Sequence, residues 1–442
     1  MNRGFTSLQE ITEGIRLTPA QEAKLRAIEL SVGLYRRCVL PLRRRKTHAF
    51  EENLAKSVNQ TIQVPRYELP RDEPGNHFMS EQELRSFEET GLAGPFPVLS
   101  AEDAAALRDE LVAAYERKFD GFVYIGDEVY DALDRHGQMS IGFAGLYQAL
   151  RYKRFRDVLK APPMAHRLAS LLGPEVICWR NQIFEKGPGA PGTYWHQSGA
   201  FRELSSTEKL RPTRPGSHGI LQLTGWIALT DVTVKTAALR IMPGTFADGR
   251  MEYLQAYAQD NLLDYLARLP KEFLPLILKA ALFSTGAFIR AQALVLSLPM
   301  LLPDIYADAE VVDLEMKAGE AIIFTSMNMH ASYGNTTEDQ TRFAVVGRYT
   351  ANHVEVFPGA THSQMGTPEG IMDFPIDAVS SIQIYGADSY GYNRIFQEPE
   401  EAVSAAGIFE SAFNSGPRVW DIAAGALLVQ SAGRHIWTTE DD

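Results

Sequence analysis

Short runs of β-branched and aromatic residues, separated by Gly and Pro, dominate the chain from about Glu175 onward. Examples are EVICWRNQIFEKG, which begins at Glu175, and RFAVVGRYTA, which begins at Arg342. Runs of this length between turn residues predict short strands of antiparallel sheets. Because helical patterns precede them, we predict an α+β protein. Its core would be a double-stranded β-helix, a jelly-roll or cupin-like fold, with flanking helices.

Helix start signals occupy the first part of the chain. Thr18 opens a capping box that is followed by apolar residues at helical spacing, and Pro41 is expected to end this helix. Ser80 begins a second helix that Gly91 is expected to stop, and Ser100 begins a third. The N-terminal part of the chain is therefore predicted to be helical.

These changes in sequence pattern divide the chain into three segments. We predict an N-terminal helical extension over residues 1–75 and a jelly-roll catalytic domain over residues 76–360. A mostly helical insertion, about residues 248–304, would interrupt the domain between two strands. Residues 361–442 form a C-terminal segment to which the sequence assigns no role.

Composition excludes several classes of function. The chain has 442 residues and a net charge of -12, which disfavours nucleic acid as a partner because phosphate binding relies on a basic surface. Two cysteines, Cys38 and Cys178, are too few for a disulfide framework. The N-terminus has no apolar signal core, so we expect a cytoplasmic protein.

The apolar run from Phe273 to Leu302 is interrupted by Lys279 and Arg290 and falls short of the roughly 18 apolar residues that a spanning helix needs. We interpret this part of the insertion as packed core or as a lid over an apolar substrate channel. Peripheral attachment to a membrane surface is the less favoured alternative.

The stretch GTYWHQSGAF, from Gly192 to Phe201, contains a histidine followed two residues later by a serine. In iron oxygenases with two histidines and one carboxylate, a His-x-Asp pair supplies two of the three ligands. Here His196 stands in the histidine position and Ser198 in the carboxylate position. Glu185 and Glu203 lie nearby but lack this spacing, so solvated or structural roles are favoured for them.

A second histidine, His330, closes the strand-like run AGEAIIFTSMNMH, and Arg342 follows on the next predicted strand. Two neutral imidazoles can hold Fe(II), and 2-oxoglutarate, which chelates the metal, needs a cation for its distal carboxylate. His196, His330 and Arg342 therefore form a coherent candidate site for iron and 2-oxoglutarate. The alternative is that both histidines merely form structural hydrogen bonds.

Seven stretches occur in an order and spacing that is specific only in combination. They are SFEETGLAGPF, CWRNQIFEKGPG leading into GTYWHQ, TGWIALTDV, LRIMPGT, MKAGEAIIF, MHASYGN and GRYTANHVEVFP. Over about residues 80–358 the chain resembles the iron(II)/2-oxoglutarate-dependent aliphatic halogenases of nonribosomal-peptide pathways. These belong to the wider phytanoyl-CoA dioxygenase-like group.

The resemblance implies a role for each matching residue. His196 and His330 would bind iron. Three residues would hold 2-oxoglutarate: Arg342, Thr193 and Trp226. Four residues would surround a chloride ion: Phe201, Thr224, Ser326 and Arg348. The reaction would consume O2 and 2-oxoglutarate and chlorinate an unactivated aliphatic carbon.

In the halogenases that the chain resembles, the position of Ser198 holds alanine or glycine. Loss of the carboxylate opens a coordination position and removes a negative charge, and both changes favour chloride. Serine departs from this pattern because its hydroxyl can donate to chloride, hold a water or bind iron weakly, and each of these would shift the balance toward hydroxylation. Three functions therefore stay open: halogenation, hydroxylation, and a non-catalytic acyl- or carrier-binding protein that has lost its metal.

The substrate is expected to be a small molecule or one tethered to a carrier protein. The resemblance to enzymes that act on carrier-bound thioesters suggests that the basic run LRRRK, from Leu42 to Lys46, binds an acidic carrier surface. Its simpler interpretation is a solvated helix face. The apolar insertion favours a bulky or lipid-like substrate group.

Overall fold

The computed structural model describes residues 17–43, 62–116, 146–190, 192–197, 209–214, 220–247, 261–269, 309–367 and 370–398, together with nine single positions between 250 and 306. The chain divides into two compact units, Met1–Arg394 and Ile395–Asp442. The helices described below all belong to the first unit. They are α1 (Pro19–Leu34), α2 (Glu81–Thr90), α3 (Ala101–Glu116), α4 (Lys153–Leu159), α5 (Pro162–Leu172) and α6 (Leu262–Arg268).

Fourteen strands follow the order of the chain in the described residues. They are β1 (Leu92–Pro97), β2 (Val176–Lys186), β3 (Thr193–His196), β4 (Leu210–Pro212), β5 (Leu223–Ala228), β6 (Leu239–Met242), β7 (Val312–Leu314), β8 (Glu320–Thr325), β9 (Met329–Ser332), β10 (Arg342–Ala351), β11 (Val354–Val356), β12 (His362–Thr367), β13 (Gly370–Pro375) and β14 (Ile382–Tyr385).

Two antiparallel sheets face each other. The larger has six strands in the order β1-β8-β5-β10-β2-β14, and the smaller has four in the order β3-β9-β6-β7. A buried apolar cluster joins them, with Trp226 and Phe324 from the large sheet and Ile241 and Leu314 from the small one. This double-layered, non-sequential antiparallel arrangement confirms the predicted α+β jelly roll. Two further pairs, β4 with β11 and β12 with β13, lie outside the two sheets.

Side-chain alternation gives the large sheet an inner and an outer face. Along β10, Ala344 and Val346 belong to the cluster between the sheets, so even-numbered residues point into the roll. The odd-numbered Tyr349 points outward, and its hydroxyl donates to the carbonyl of Leu159 in α4. Helices thus cover the outer face, and the inner face is left for a site.

The predicted helix starts agree with the structure. Thr18 and Gln21 form the expected reciprocal capping box of α1, and Ser80 forms another at the start of α2. The hydroxyl of Ser100 accepts from the backbone N–H of Asp103 at the start of α3. These caps satisfy backbone donors that the first helical turn leaves unpaired.

The sequence predicted that Pro41 would end the first helix, and this prediction is wrong. Helix α1 ends at Leu34, and the chain continues as a short π-helix over Tyr35–Val39 and a 3-10 helix over Leu40–Arg43. A proline is tolerated early in a turn because its missing N–H has no partner there.

The region after α1 is attached to the insertion helix α6 by polar contacts. Asp264, which is buried, accepts hydrogen bonds from the hydroxyls of Tyr35 and Tyr257 and from Arg268 at 2.9, 2.5 and 2.7 Å. Arg36 donates to the carbonyls of Ala267 and Leu266, at the end of α6, at 2.8 and 3.1 Å. A cation there complements the helix dipole and the free carbonyls.

These two helical pieces lie against the small sheet. One apolar cluster contains Val32 of α1 and Tyr265 of α6 together with Trp195 of β3 and Met329 of β9. Trp195 and Met329 directly precede His196 and His330. The N-terminal helix and the insertion therefore support the two strands that carry the candidate metal ligands.

One strand of the large sheet comes from beyond residue 360, where the sequence analysis assigned no element. Strand β14 pairs with β2 at the edge of the sheet, with Ile382 opposite Cys178. Much of the insertion and most of the C-terminal segment lie outside the described residues. No helix among the described residues is long and apolar enough to span a bilayer.

Candidate active site

The pairing of β3 with β9 brings the two candidate ligands together. His196 and His330 are directly opposite across the ladder, although 134 residues separate them in the chain. Their ring centroids are 4.1 Å apart, with an angle of 47° between the planes. Two imidazoles this close, on the ends of neighbouring strands, form a suitable pair of nitrogen ligands for one divalent metal ion.

The backbone fixes the orientation of His330. Its Nδ1 lies 2.8 Å from the carbonyl oxygen of Asn328. Since a carbonyl only accepts, Nδ1 carries the proton and Nε2 is left as a ligand atom. Burial lowers the pKa of His330 well below its usual value, and the neighbouring His196 lowers it further. The imidazole is therefore neutral at pH 7, as metal binding requires.

Asn328 is itself held by three hydrogen bonds at the end of α2. Its side-chain amide donates to the carbonyls of Thr90 and Gly91 at 2.8 and 3.1 Å and accepts from the N–H of Phe246 at 3.1 Å. Gly91 has a positive φ of 64°, and a Cβ there would lie 2.7 Å from the amide nitrogen of Asn328. The glycine at the helix end thus makes room for the residue that orients His330.

Arg342 is a buried cation, and two of its nitrogens have no hydrogen-bond partner among the described residues. Its side chain is 2% exposed, and neither Nε nor Nη1 has a partner among the described residues. The guanidinium lies over the ring of Trp226, 5.3 Å from its centroid. Burial lowers the pKa of Arg342 to about 10. Because native proteins rarely leave such groups unpaired, the arrangement suits an anionic ligand.

Lys186, which the sequence analysis missed, lies directly opposite Arg342 across the β2–β10 ladder. Burial and the charge of Arg342 lower its pKa to about 7. The alternation along β2 places Arg180, Gln182, Phe184 and Lys186 on the inner face, and each keeps some accessible surface. Glu185 lies on the outer face, away from the two histidines.

Thr193 begins the same strand as His196. A bulge in β3 places Thr193 opposite Ser332 and His196 opposite His330, so both face the same side as alternate residues of β9. The N–H of Thr193 donates to the hydroxyl of Ser332 at 3.1 Å, and the Thr193 side chain is exposed. No hydrogen bond joins Thr193 to Arg342 or Trp226 in the part of the chain that is described.

Three of the four residues predicted around chloride lie together. The hydroxyls of Thr224 and Ser326 are 3.2 Å apart, and Arg348 donates to Thr224 through Nη1. Gln222, which the sequence analysis missed, donates to Ser326 at 2.6 Å and accepts from the indole of Trp179 at 3.1 Å. The result is a buried polar network beside the metal-ligand strands.

This network adjoins the histidine pair. Phe324 is directly opposite Thr224 in the β5–β8 ladder, and its ring meets that of His330 edge-on at 5.0 Å. The charge of Arg348 is one of the causes that lower the pKa of His330. Ser198 and Phe201, the remaining predicted site residues, lie outside the described part of the chain. Within that part, no group of three or more His, Cys, Asp or Glu could hold a metal ion.

A jelly roll with a histidine pair and a buried arginine on its inner face suits a divalent metal ion and an anionic ligand. Comparison of the sequence with protein families matches residues 87–344, more than half of the chain, to the phytanoyl-CoA dioxygenase (PhyH) family. The chain belongs to this family. It is therefore an enzyme of the iron(II)/2-oxoglutarate-dependent oxygenase class.

Solved structures with similar folds include CytC3 with Fe(II) and alpha-ketoglutarate, with 22% identity and a TM-score of 0.47 over 73% of this chain and 94% of that one. The non-heme monooxygenase ThoJ has 17% identity and a TM-score of 0.42 over 79% and 95% of the two chains. EctD from S. alaskensis with bound Fe has 15% identity and a TM-score of 0.42 over 67% and 84%. These similarities are too low to assign a reaction. The comparison with curated proteins finds no matching sequence.

Proposed function

We propose that the protein is an iron(II)/2-oxoglutarate-dependent halogenase that chlorinates an unactivated aliphatic carbon. The observation that carries this proposal is Ser198, which stands two residues after His196 where a carboxylate ligand would otherwise be. Without that carboxylate the metal has one more open position and one less negative neighbour. Both changes favour a halide ligand.

The residues present fit iron and 2-oxoglutarate. His196 and His330 supply two nitrogen ligands, and burial keeps His330 neutral. Nε and Nη1 of Arg342, which have no partner in the described part of the chain, would donate to the distal carboxylate of 2-oxoglutarate, with Trp226 packed against the guanidinium. With O2, a bound metal and 2-oxoglutarate would supply an oxidant able to remove hydrogen from an unactivated carbon, with succinate and CO2 as the products of the cosubstrate.

The Thr224, Ser326 and Arg348 network supports the assignment of the open position to chloride. It presents hydroxyl groups and a guanidinium close to His330, and burial lowers the pKa of Arg348 to about 9. At neutral pH this arginine stays charged. A positive potential beside a metal site with an open position attracts a small anion.

Hydroxylation is the second candidate. It is favoured by one observation, the hydroxyl of Ser198, which alanine or glycine in this position would lack. This hydroxyl could hold a water or bind the metal weakly and so compete with halide. The two functions therefore differ in whether chloride enters the metal site.

Chloride titration of the anaerobic complex separates the candidates without a substrate. Fe(II) and 2-oxoglutarate are added to the protein, and the visible charge-transfer absorption band is recorded as chloride is increased. Ser198→Asp, which restores a carboxylate, and Ser198→Ala, which removes only the hydroxyl, are the matched variants. We expect a saturable shift of the band in the wild type and in Ser198→Ala, and none in Ser198→Asp.

A wild-type band that is indifferent to chloride would favour hydroxylation. Absence of any band in the wild type would favour the non-catalytic binding protein. A shift of equal size in Ser198→Asp would show that chloride acts elsewhere than at the position of residue 198.

The substrate stays a prediction: a small molecule or a carrier-tethered group, with a bulky or lipid-like part favoured by the apolar insertion. Docking to a carrier through the LRRRK run also stays a prediction, and its residues 44–46 lie outside the described part of the chain. Reversing the charges of Arg43, Arg44 and Arg45 should weaken carrier binding and its dependence on salt. An unchanged carrier affinity would contradict docking through the LRRRK run.

A further inference from the structure

A buried glutamine, Gln222, lies beside the polar network that we assign to chloride. It directly precedes β5, and its carbonyl accepts from the N–H of Ser326 at 3.3 Å, one position beyond the residues paired in the β5–β8 ladder. Because side chains alternate along a strand, Gln222 and Thr224 lie on the same face of the sheet as Trp226. Trp226 belongs to the cluster between the two sheets, so Gln222 faces the interior of the roll.

Trp179 fixes the orientation of the Gln222 amide. The indole nitrogen of Trp179 donates to Oε1 of Gln222 at 3.1 Å. An indole N–H only donates, so the atom that faces it must be the amide oxygen, and Nε2 must face the other way. Nε2 donates to the hydroxyl of Ser326 at 2.6 Å. The oxygen and nitrogen of this amide therefore cannot exchange places without the loss of both hydrogen bonds.

Trp179 is itself placed by an irregularity in β2. The register between β2 and β10 shifts between Arg348 and Tyr349, and Trp179 is the extra residue of the resulting bulge. Its side chain is buried, and its ring meets that of Phe357 edge-on, with the centroids 5.8 Å apart. Bulges reorient side chains and are common beside active sites. This bulge directs the indole toward Gln222.

Both hydroxyls of the network accept a hydrogen bond from a group that can only donate. Ser326 accepts from Nε2 of Gln222, and Thr224 accepts from the guanidinium of Arg348. Neither an amide nitrogen nor a guanidinium can accept a hydrogen bond in return. The hydroxyl hydrogens of Thr224 and Ser326 must therefore both point away from these two partners.

The network supplies an acceptor for only one of these two hydrogens. The oxygens of Thr224 and Ser326 are 3.2 Å apart, so one hydroxyl donates to the other. The second hydrogen has no acceptor among the described residues, although Thr224 is only 1% and Ser326 only 2% exposed. Native proteins rarely leave a buried donor without an acceptor. The pocket therefore suits a ligand that accepts hydrogen bonds.

This pocket is close to the candidate metal ligands. Thr224 is directly opposite Phe324 on β8, and the ring of Phe324 meets that of His330 edge-on at 5.0 Å. A halide accepts hydrogen bonds and donates none, whereas a water in the same position needs acceptors for its own hydrogens. Hydroxyl and guanidinium groups that are arranged as donors therefore favour a halide over a water.

We propose that Gln222, held by Trp179, is a positioning residue that determines the preference of this pocket for a halide. Because Gln222 donates to Ser326, the Ser326 hydroxyl cannot donate to residue 222, and the network keeps one hydroxyl hydrogen for the ligand. This inference rests on the proposed function, since the ligand is the halide at the open metal position. It goes further in assigning the choice between halide and water to a residue that acts through Ser326.

Gln222→Glu reverses the direction of this hydrogen bond with little change in side-chain shape. An ionised carboxylate only accepts, so the Ser326 hydroxyl would donate to residue 222 and its hydrogen would be lost to the ligand. A protonated carboxyl group would donate to Ser326 as the amide does. Burial raises the pKa of a carboxyl group, so a change of pH should interconvert the two forms.

The test titrates chloride into the anaerobic Fe(II) and 2-oxoglutarate complex and follows the visible absorption band at several pH values between about 6 and 9. Gln222→Glu is compared with Gln222→Met, which is similar in size but cannot donate. Gln383→Glu is the matched control, because Gln383 on the edge strand β14 also accepts from one group, the amide nitrogen of Asn352, and donates to another, the carbonyl of Tyr385. Melting temperatures without cofactors show whether each variant is folded.

At the highest pH, Gln222→Glu should bind chloride at least about tenfold more weakly than the wild type, the effect of losing a hydrogen bond to a charged ligand. As the pH falls, its chloride affinity should approach that of the wild type at the same pH. Gln222→Met should bind chloride about tenfold more weakly at every pH, because Ser326 loses the donor that directs it. Gln383→Glu should match the wild type throughout.

Two results would overturn the role of Gln222 and leave halogenation intact. One is equal chloride affinity in the wild type and Gln222→Met, which also decides the test if the glutamate variant does not fold. The other is weak chloride binding by a folded Gln222→Glu that does not recover as the pH falls, since the loss would then come from packing. A wild-type band that is indifferent to chloride would overturn both the proposed function and the role of Gln222.

Discussion

Replacing Arg342 by methionine should stabilise the protein in the absence of 2-oxoglutarate and abolish its stabilisation by 2-oxoglutarate. Burial lowers the pKa of Arg342 from 12.5 to about 10. At about 1.4 kcal/mol per pKa unit, this difference corresponds to about 3 kcal/mol by which the buried charge destabilises the fold. Since the folded-state pKa is lowered, the destabilisation is complete below pH 10 and disappears as the pH rises toward 12.5.

The net effect of Arg342→Met is smaller because the variant loses the contact between the guanidinium and Trp226. That contact contributes about 1 kcal/mol, which leaves a gain of about 2 kcal/mol. Unfolding entropy is about 2.1 cal/mol/K per residue, so 1 kcal/mol corresponds to about 1 °C in a chain of 442 residues. The melting temperature of the cofactor-free variant should therefore rise by about 2 °C.

Addition of Fe(II) and 2-oxoglutarate under anaerobic conditions should reverse the order of the two melting temperatures, so that the wild type becomes more stable than Arg342→Met. A ligand at 100 times its dissociation constant stabilises the folded state by about 2.7 kcal/mol, or about 3 °C here. The wild type should gain this increment beyond the effect of Fe(II) alone, and Arg342→Met should not. Differential scanning fluorimetry measures both the melting temperature of the cofactor-free protein and its rise on addition of 2-oxoglutarate. Arg211→Met, which removes an exposed arginine that is paired with Glu355, should change neither value by more than about 1 °C.

A lower melting temperature for cofactor-free Arg342→Met would refute the reasoning, because it would show that the arginine has a structural partner. An equal gain from 2-oxoglutarate in the variant and the wild type would show that the cosubstrate binds elsewhere.

Three further substitutions test residues that hold the candidate site in place. Asn328→Ala removes three buried hydrogen bonds and should lower stability by about 3 kcal/mol and weaken Fe(II) binding, measured by calorimetry; unchanged iron affinity would contradict its role in orienting His330. Gly91→Ala adds a Cβ that would lie 2.5 Å from a ring carbon of Phe246 at positive φ, so its melting temperature should fall by about 3 °C, and an unchanged value would contradict the packing. Asp264→Ala leaves Arg268 and two hydroxyls without this acceptor and should cost about 3 kcal/mol, whereas Asp264→Asn, which keeps one acceptor oxygen, should cost less; equal losses would show that an uncharged acceptor gives no stabilisation there.

Local features of the fold could be predicted because they depend on neighbouring residues. The capping boxes at Thr18 and Ser80 and the glycine that ends α2 follow from hydrogen bonds and backbone conformations available within a few residues. The run from Arg342 to Ala351 coincides with β10. Strand β14 was missed, although the alternating run SIQIYG contains it, because it is short and its pairing with β2 is distant in sequence.

The candidate site was only partly predictable for the same reason. The two histidines and Arg342 were predicted as site residues from their types and their places in motifs. Gln222 and Asn328 were missed because their partners lie on other strands and at the end of a distant helix. Arg180 and Lys186 could have been found, since period-two alternation along β2 places both on one face. Their proximity to Arg348 and Arg342 depends on the register of β2 against β10, which no local pattern specifies.

The central claim is that a halide binds the metal at the position left open by Ser198. Iron K-edge X-ray absorption of the anaerobic Fe(II) and 2-oxoglutarate complex, with bromide in place of chloride, measures this directly. We predict a bromine scatterer in the first coordination shell of the wild type and of Ser198→Ala, and only nitrogen and oxygen scatterers in Ser198→Asp. A wild-type spectrum with only nitrogen and oxygen neighbours at saturating bromide would contradict the account.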